Sequence, residues 1–582
     1  MKKIFIAAVL SAAVVISFFA CASSGKGSAQ SYTPGTYSAE AQGFGGTFTV
    51  SVTVDASKIT AIEIGDNNET PGIGSNAITM IPGQVIENQS LAVDAVAGAT
   101  ITSNGLLGAL EAALTAAGGN IAALKQAGAA AAKEKDVTMD VDVVVIGAGG
   151  AGFSAAIEAK EAGRSVVIIE KMPLVGGNTI KGSGGMNASE TQYQKRAGKI
   201  YTNDTFYQYT MDGGHGLNDP ALLRFFVENS SGAVDWLTGL GMNYTFGNYT
   251  TAQRSHAVNN GGPVGIELMR VLTARAEQDG IQVMLETKAE EIIMKNGQAA
   301  GVRCVGKTGN TVTVNAKAVV LATGGFGANE DLFTKYRPEL KGYVTTNHPG
   351  ATGDGIVMAE AVGADLTDIE QIQIHPTVEQ STSELVSESL RRDGSILINA
   401  DGNRFYNEIL TRDKVSAAVL AQPDSYAYIV FDQNVRNIRS IINTYVSRGF
   451  VLEDPTLEGL AAKMGVNPAN FRKSVETWNA AAKAGAGDPF GRDEAMENPL
   501  VNPPYYAIKI APGVHHTMGG VKINTNTEVI STRGAPIPGF YAAGEVTGGI
   551  HGGNRIGGNA ITDIVVFGRV AGQQSAKFAG AR

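Results

Sequence analysis

Four consecutive apolar residues, Val143 to Ile146, run straight into a cluster of glycines. An apolar run without polar alternation is the pattern of a strand buried on both faces. Behind the glycines, the Ala-rich stretch Phe153 to Glu161 predicts a helix, and Ser165 to Ile169 predicts a second buried strand ending in Glu170. Ala316 to Leu321 has the same character and enters another glycine turn, Gly324-Gly325-Phe326-Gly327. Near the N-terminus the pattern differs. Gly45 to Val54 alternates apolar with polar residues, as a half-buried strand does, and Lys58 to Ile64 reads as its hairpin partner. The chain is therefore expected to hold a small α+β domain first and a larger α/β domain after it.

Gly147-Ala148-Gly149-Gly150-Ala151-Gly152 matches GxGxxG between a strand and a helix. The first glycine permits a tight turn, and the second lets the backbone approach a pyrophosphate. The third allows close helix–strand packing, so that the helix N-terminus faces the anion. Glu170 lies 18 residues beyond Gly152, where a carboxylate can accept hydrogen bonds from an adenosine ribose. The continuation, Gly176-Gly177-Asn178-Thr179 and Ser183-Gly184-Gly185-Met186-Asn187, favours FAD over NAD. It resembles the flavin-contacting loop of the fumarate reductase and succinate dehydrogenase flavoprotein superfamily. The implied architecture is a Rossmann-like FAD-binding domain with an inserted α+β capping domain.

Length and charge narrow the picture. A chain of 582 residues suits two or three domains. The net charge of −9, without a basic cluster, argues against nucleic acid as a partner. The two cysteines, Cys21 and Cys304, exclude a disulfide framework, a Cys-ligated iron–sulfur cluster and a CxxCH haem site. No metal site is expected, and electrons must travel on flavin. Residues 1–20, with Lys2, Lys3 and an apolar run from Ile4, read as a secretory signal peptide. Phe18-Phe19-Ala20-Cys21 resembles a bacterial lipobox, which implies lipidation of Cys21 and a mature chain tethered outside the cytoplasmic membrane through residues 21–31; a simple secretory signal, giving a secreted or periplasmic chain, is the alternative.

Residues 32–119 are expected to form the small domain, followed by an Ala-rich linker over 120–136. Asp94-Ala95-Val96-Ala97-Gly98-Ala99-Thr100-Ile101-Thr102-Ser103 resembles the covalent flavin motif D-x-x-[ST]-G-A-T, with Ala97 where Ser or Thr is usual. The motif belongs to the FMN-binding domain of Rnf and sodium-pumping NADH:quinone reductase subunits. The resemblance implies that a flavin transferase joins FMN phosphate to the hydroxyl of Thr100, with Thr102 the alternative acceptor.

The FAD domain is expected over 137–370 and 515–582, and the cap over 371–514. Six residues bear separated acid, base and cation chemistry: His375, Glu388, Arg391, Arg412, His515 and Arg555. His375-Pro376-Thr377, Ser387-Glu388-Ser389-Leu390-Arg391, Thr411-Arg412-Asp413-Lys414, His515-His516 and Asn554-Arg555 resemble the soluble fumarate reductase subfamily in order and spacing. That resemblance implies reduction of a carbon–carbon double bond. His375 and Ser387 would bind one substrate carboxylate, and His515, Arg555 and Gly558 the other. Hydride would come from FAD and a proton from Arg412, resupplied through Glu388 and Arg391. The implied FAD contacts are Gly147, Gly149, Ala151, Gly152, Glu170, Asn178, Thr179, Gly184, Gly185, Ala289, Asp354, His516, Glu545, Ala560 and Ile561. Urocanate reductases share the two-flavin layout but have Tyr and Asp where this chain has His375 and Glu388, so fumarate is the expected substrate. Arg392-Asp393 departs from the small residues usual there and leaves room for acrylate, methacrylate or cinnamate. The electron donor is expected to be membrane-associated and quinol- or flavin-linked. An electron-transfer module without its own substrate is the competing expectation.

Overall fold

A computed structural model describes residues 31–69, 74–96, 99–126, 133–246, 254–259 and 262–581. The expected signal peptide, Cys21 and most of the expected tether lie outside the described residues. Among those described, no helix is long and apolar enough to cross a membrane.

The first domain is a three-stranded antiparallel sheet, Gly35–Gly43, Gly46–Val54 and Ile59–Ile64, covered by helices Gly74–Asn88 and Thr100–Ala116. Strand alternation decides the inner face. Phe48, Val50, Val52 and Val54 are buried against Leu106, Leu110 and Leu114, while the intervening residues look outward. The expected linker is partly absorbed into this domain. Helix Ile121–Leu124 caps itself with the Asn120 side chain, and Leu124 joins the domain core.

The second domain is built on an eight-stranded sheet. Strand Val137–Ile146 lies at its centre, parallel to Thr311–Leu321 on one side and to Val166–Ile169 on the other. Both faces are covered, which is why Val143 to Ile146 carry no polar residue. The following helix, Gly150–Glu161, starts inside the glycine cluster, earlier than the expected Phe153. Gly147 has a φ of 107°, open to glycine but strained for other residues. Gly152 is a packing glycine, because an added Cβ would sit 1.9 Å from the Gly147 carbonyl oxygen.

The cap is a six-stranded sheet between two helical layers, with Trp478 and Phe471 in one core and Phe431 and Tyr445 in the other. The expected boundary at 514/515 falls inside a single strand, Tyr505–Thr517. That strand pairs antiparallel with Ile372–Glu379. The seam between cap and FAD domain is therefore two paired strands rather than flexible crossings.

Gly152→Ala is expected to destabilise the cofactor-free chain by about 1–3 kcal/mol through overpacking. Gly184→Ala, whose Cβ meets nothing within 4 Å, should leave its stability unchanged. Denaturant titration of both variants checks the contrast.

Candidate active site

A cavity of about 820 Å³ runs from the carboxyl ends of the central parallel strands to the cap. At one end it is lined by the glycine loop and by the N-terminus of helix Gly150–Glu161. Glu170 braces this loop: one carboxylate oxygen accepts from the Ala148 N–H at 2.9 Å and the other from the Met172 N–H at 2.8 Å. Burial pushes the Glu170 carboxyl above its ordinary range. Asp354 pairs with Lys171 at 2.9 Å. Burial pushes its carboxyl up, but Lys171 more than offsets this and holds it low.

This end fits FAD on the chain's own geometry. Gly149 and Gly184 present no side chain to the cavity, and a Cβ on either would meet no atom closer than 3.6 Å. The helix N-terminus suits a pyrophosphate. Deeper in, Glu545 accepts from the Asn178 side chain at 3.1 Å and from the Thr517 N–H at 3.1 Å. His516 Nδ1 lies 3.4 Å from Glu545, while its buried Nε2 has no partner among the described residues. Gly185, Ala289, Thr179, Ala151, Ala560 and Ile561 also line the cavity.

The other end is cationic. His375 and Gln373 stand two residues apart on strand Ile372–Glu379, and His515 comes from its neighbour Tyr505–Thr517. The His375 and His515 rings meet edge-on with centroids 5.0 Å apart. The Thr377 N–H donates to His375 Nδ1 at 3.3 Å, so the ring proton belongs on Nε2. That Nε2 is buried, has no hydrogen-bond partner among the described residues and lies 4.0 Å from Glu388. His515 Nδ1 lies 2.7 Å from the Thr346 hydroxyl.

Arg412 opens helix Arg412–Leu420 and aims its guanidinium inward. Its Nη2 and Nε donate to Glu388 Oε2 at 2.5 and 3.1 Å. The other carboxylate oxygen, Oε1, accepts from Arg391 Nη2 at 2.7 Å. Burial pushes the Glu388 carboxyl up, but Arg412 and Arg391 together hold it well below the usual carboxylate range. Burial pushes the Arg391 guanidinium down to about 10. Arg555, in the loop before helix Asn559–Gly580, is pushed down to about 9 by burial and by Arg412. Ser387 and Gly558 complete the wall.

The likeness of the chain to known proteins agrees with this geometry. Residues 142–561 match the FAD binding domain model, and residues 43–115 match the FMN-binding domain model. The chain belongs to the FAD-binding flavoprotein family. It is 44% identical over 549 residues to an NADH:fumarate oxidoreductase of Klebsiella pneumoniae, covering 94% of this chain and 59% of that one. The chain thus spans under two thirds of that relative's length. It is 37% identical to a urocanate reductase of Eggerthella lenta, covering 93% and 92%. The open conformation of a flavocytochrome c3 fumarate reductase superposes with a TM-score of 0.67 at 40% identity, over 76% of this chain and 79% of that one.

Two expected site residues of this flavoprotein stand back from the cavity. Gly152 is buried behind the glycine loop, and Arg391 sits behind Glu388, so neither lines the wall. Two further polar residues, His256 and Asp488, have structural partners. His256 is buried, with Nε2 2.7 Å from the Thr191 hydroxyl. Asp488 joins a buried ion cluster with Arg404. Gln373 was not among the expected site residues. Its Oε1 accepts from Arg412 Nη1 at 3.0 Å and from Arg555 Nη2 at 3.2 Å. Its Nε2 donates to Asn554 Oδ1 at 2.6 Å and to the Arg555 carbonyl at 2.8 Å. Strand period was the available signal, because Gln373 shares a strand face with His375.

Burial, reinforced by Arg412 or Arg555, holds His375, His515 and His516 well below the usual histidine range. In the unfolded chain they titrate near ~6.5. As pH falls below that value the unfolded state binds protons that the native state refuses, so stability falls with pH. The melting temperature of the cofactor-free protein should drop between about pH 7 and pH 5, and His375→Asn should make the drop shallower. Equal slopes in calorimetry would count against neutral buried histidines.

Proposed function

We propose that this chain reduces the carbon–carbon double bond of an unsaturated carboxylate, with fumarate as the preferred substrate. The observation that carries this reading is the Arg412–Glu388–Arg391 chain of charge-assisted hydrogen bonds ending at a cavity wall that also presents His375, His515 and Arg555. When bound, FAD supplies the hydride. The protein residues hold, polarise and protonate. His375 Nε2–H and Ser387 bind one carboxylate, while His515 and Arg555 bind the other, Arg555 as a bidentate fork. Gln373 holds Arg412 and Arg555 at a fixed spacing through a single oxygen. Arg412 gives a proton to the carbon next to the one that receives hydride. A guanidinium is a very weak acid, but a developing carbanion is a strong enough base to take its proton. Glu388 returns a proton to Arg412, and Arg391 resupplies Glu388.

FMN is the second cofactor, attached through its phosphate to Thr100. Thr100 is the first residue of helix Thr100–Ala116, and a helix N-terminus favours a phosphate. The alternative acceptor, Thr102, is fully buried, and its hydroxyl donates to Glu69 at 2.9 Å, which supports Thr100 as the acceptor. In this reading a flavin transferase installs the FMN, Cys21 carries a lipid anchor outside the cytoplasmic membrane, and a membrane-associated donor reduces the FMN. Urocanate is the second substrate reading, favoured by the Eggerthella relative and opposed by His375 and Glu388.

Oxidation of reduced viologen by the flavinylated protein tests the substrate against fumarate, urocanate, acrylate, methacrylate and cinnamate. Fumarate should be turned over fastest; preference for a monocarboxylate would mean that one carboxylate site is misassigned. Arg412→Ala should lower turnover by about 10²–10⁴-fold, the usual contribution of a positioned acid, while retaining FAD. Full activity in that variant would overturn Arg412 as the proton donor. Thr100→Ala should abolish flavin fluorescence on the denatured protein, and Thr102→Ala should retain it.

A further inference from the structure

The FMN domain touches the rest of the molecule at two informative places. Leu174, a few residues beyond Glu170 in the FAD domain, packs on the FMN-domain core. Phe44, at the hairpin tip between strands Gly35–Gly43 and Gly46–Val54, lays its ring on Arg448 of the cap. The Arg448 Cζ lies 3.7 Å from the ring centroid, and Phe450 flanks the same guanidinium at 5.2 Å.

Arg448 is an unusual place to bury a cation. Its side chain is 5% exposed, its Nε and Nη1 make no hydrogen bond among the described residues, and its anionic partner is Glu384 at 3.3 Å. A guanidinium short of hydrogen bonds is unfavourable out of water. Aromatic faces compensate such a cation best when it is desolvated. One of those two faces comes from another domain, so the buried state of Arg448 depends on Phe44 being seated.

Phe44 is in turn fastened to the helix that begins at Thr100. The Phe44 N–H donates to the Thr102 hydroxyl at 3.2 Å, and Glu69 ties Thr102 to the Gly45 N–H at 3.1 Å. A Cβ on Gly105 would lie 2.0 Å from the Gln42 carbonyl oxygen, so hairpin and helix meet backbone to backbone. On the cap side, Arg448 ends helix Ile441–Ser447. Tyr445 of that helix accepts from the Ser387 N–H at 3.0 Å and donates to the Leu385 carbonyl at 3.3 Å. Leu385 and Ser387 both line the FAD cavity. Glu384 therefore meets the interdomain contact while its neighbours meet the cavity.

We propose that Phe44 and Arg448 form the docking point that seats the FMN domain on the cap, so that electrons reach the FAD cavity across the segment Glu384–Ser387. The electron route rests on FMN at Thr100, the reading given above. In that step the reduced FMN is oxidised by two electrons and FAD is reduced by the same two, with each flavin exchanging two protons with its surroundings.

Two measurements on the full chain separate docking from flavin attachment. In the cofactor-free protein, Phe44→Ala and Arg448→Met should each raise amide hydrogen exchange over 384–387 and 441–448. Arg448→Met leaves the hairpin intact and so guards against simple misfolding of the FMN domain. Unchanged exchange in both variants overturns the docking point, whatever the state of the flavins. In the flavinylated protein, reduced and mixed with fumarate, the same variants should slow FMN re-oxidation at least tenfold and leave FAD re-oxidation at the wild-type rate. Wild-type FMN re-oxidation in both variants overturns the electron route. If the wild-type chain carries no covalent flavin, the Thr100 reading fails while the exchange measurement still decides the docking.

Discussion

Glu388 accepts from Arg412 through one carboxylate oxygen and from Arg391 through the other. Much of the site follows from this pair of contacts. Three guanidinium groups, those of Arg391, Arg412 and Arg555, are gathered out of water, where repulsion and lost hydration both oppose them. Glu388 supplies one negative charge. Gln373 adds a neutral oxygen that takes an N–H from both Arg412 and Arg555. Glu545 and Asp563 add further negative charge beside Arg555.

The topology explains how residues so far apart in the chain meet. Strands Ile372–Glu379 and Tyr505–Thr517 are paired, with Gln373 opposite His516. Each runs from the FAD domain into the cap. His375, His515 and His516 are thus fixed to a ladder continuous with the FAD side. Glu388, Arg391 and Arg412 come from short segments belonging to the cap alone. Glu388 with its two arginines and the histidines are held by different elements and converge only at the cavity.

The strand–glycine–helix–strand core was legible in the sequence, because a doubly buried strand has no polar alternation and a pyrophosphate turn demands glycine. The order of His375, Glu388, Arg412, His515 and Arg555 was legible as well, through family resemblance rather than through any local pattern. Domain edges were harder. Nothing in residues 505–517 marks where one domain stops, since the physical unit is one unbroken strand. Helix Ile121–Leu124 looked like linker because its Ala-rich composition hides its two anchors, Ile121 and Leu124. Gln373 escaped notice because a glutamine between isoleucines reads as an ordinary strand residue until both arginines converge on it.

The cap offers a contrast that separates chemistry from architecture. Arg404, Glu408, Asp488 and Arg492 form a buried ion cluster of the same residue types as the site. There every guanidinium nitrogen of Arg404 and Arg492 has an acceptor, and Trp478 packs on both cations. Such a cluster is closed and holds the cap together. In the cavity, by contrast, His375 Nε2, His516 Nε2 and Arg555 Nε are buried without partners among the described residues. Buried polar groups are ordinarily paired, so polar atoms left unpaired around the cavity are available to what binds in it.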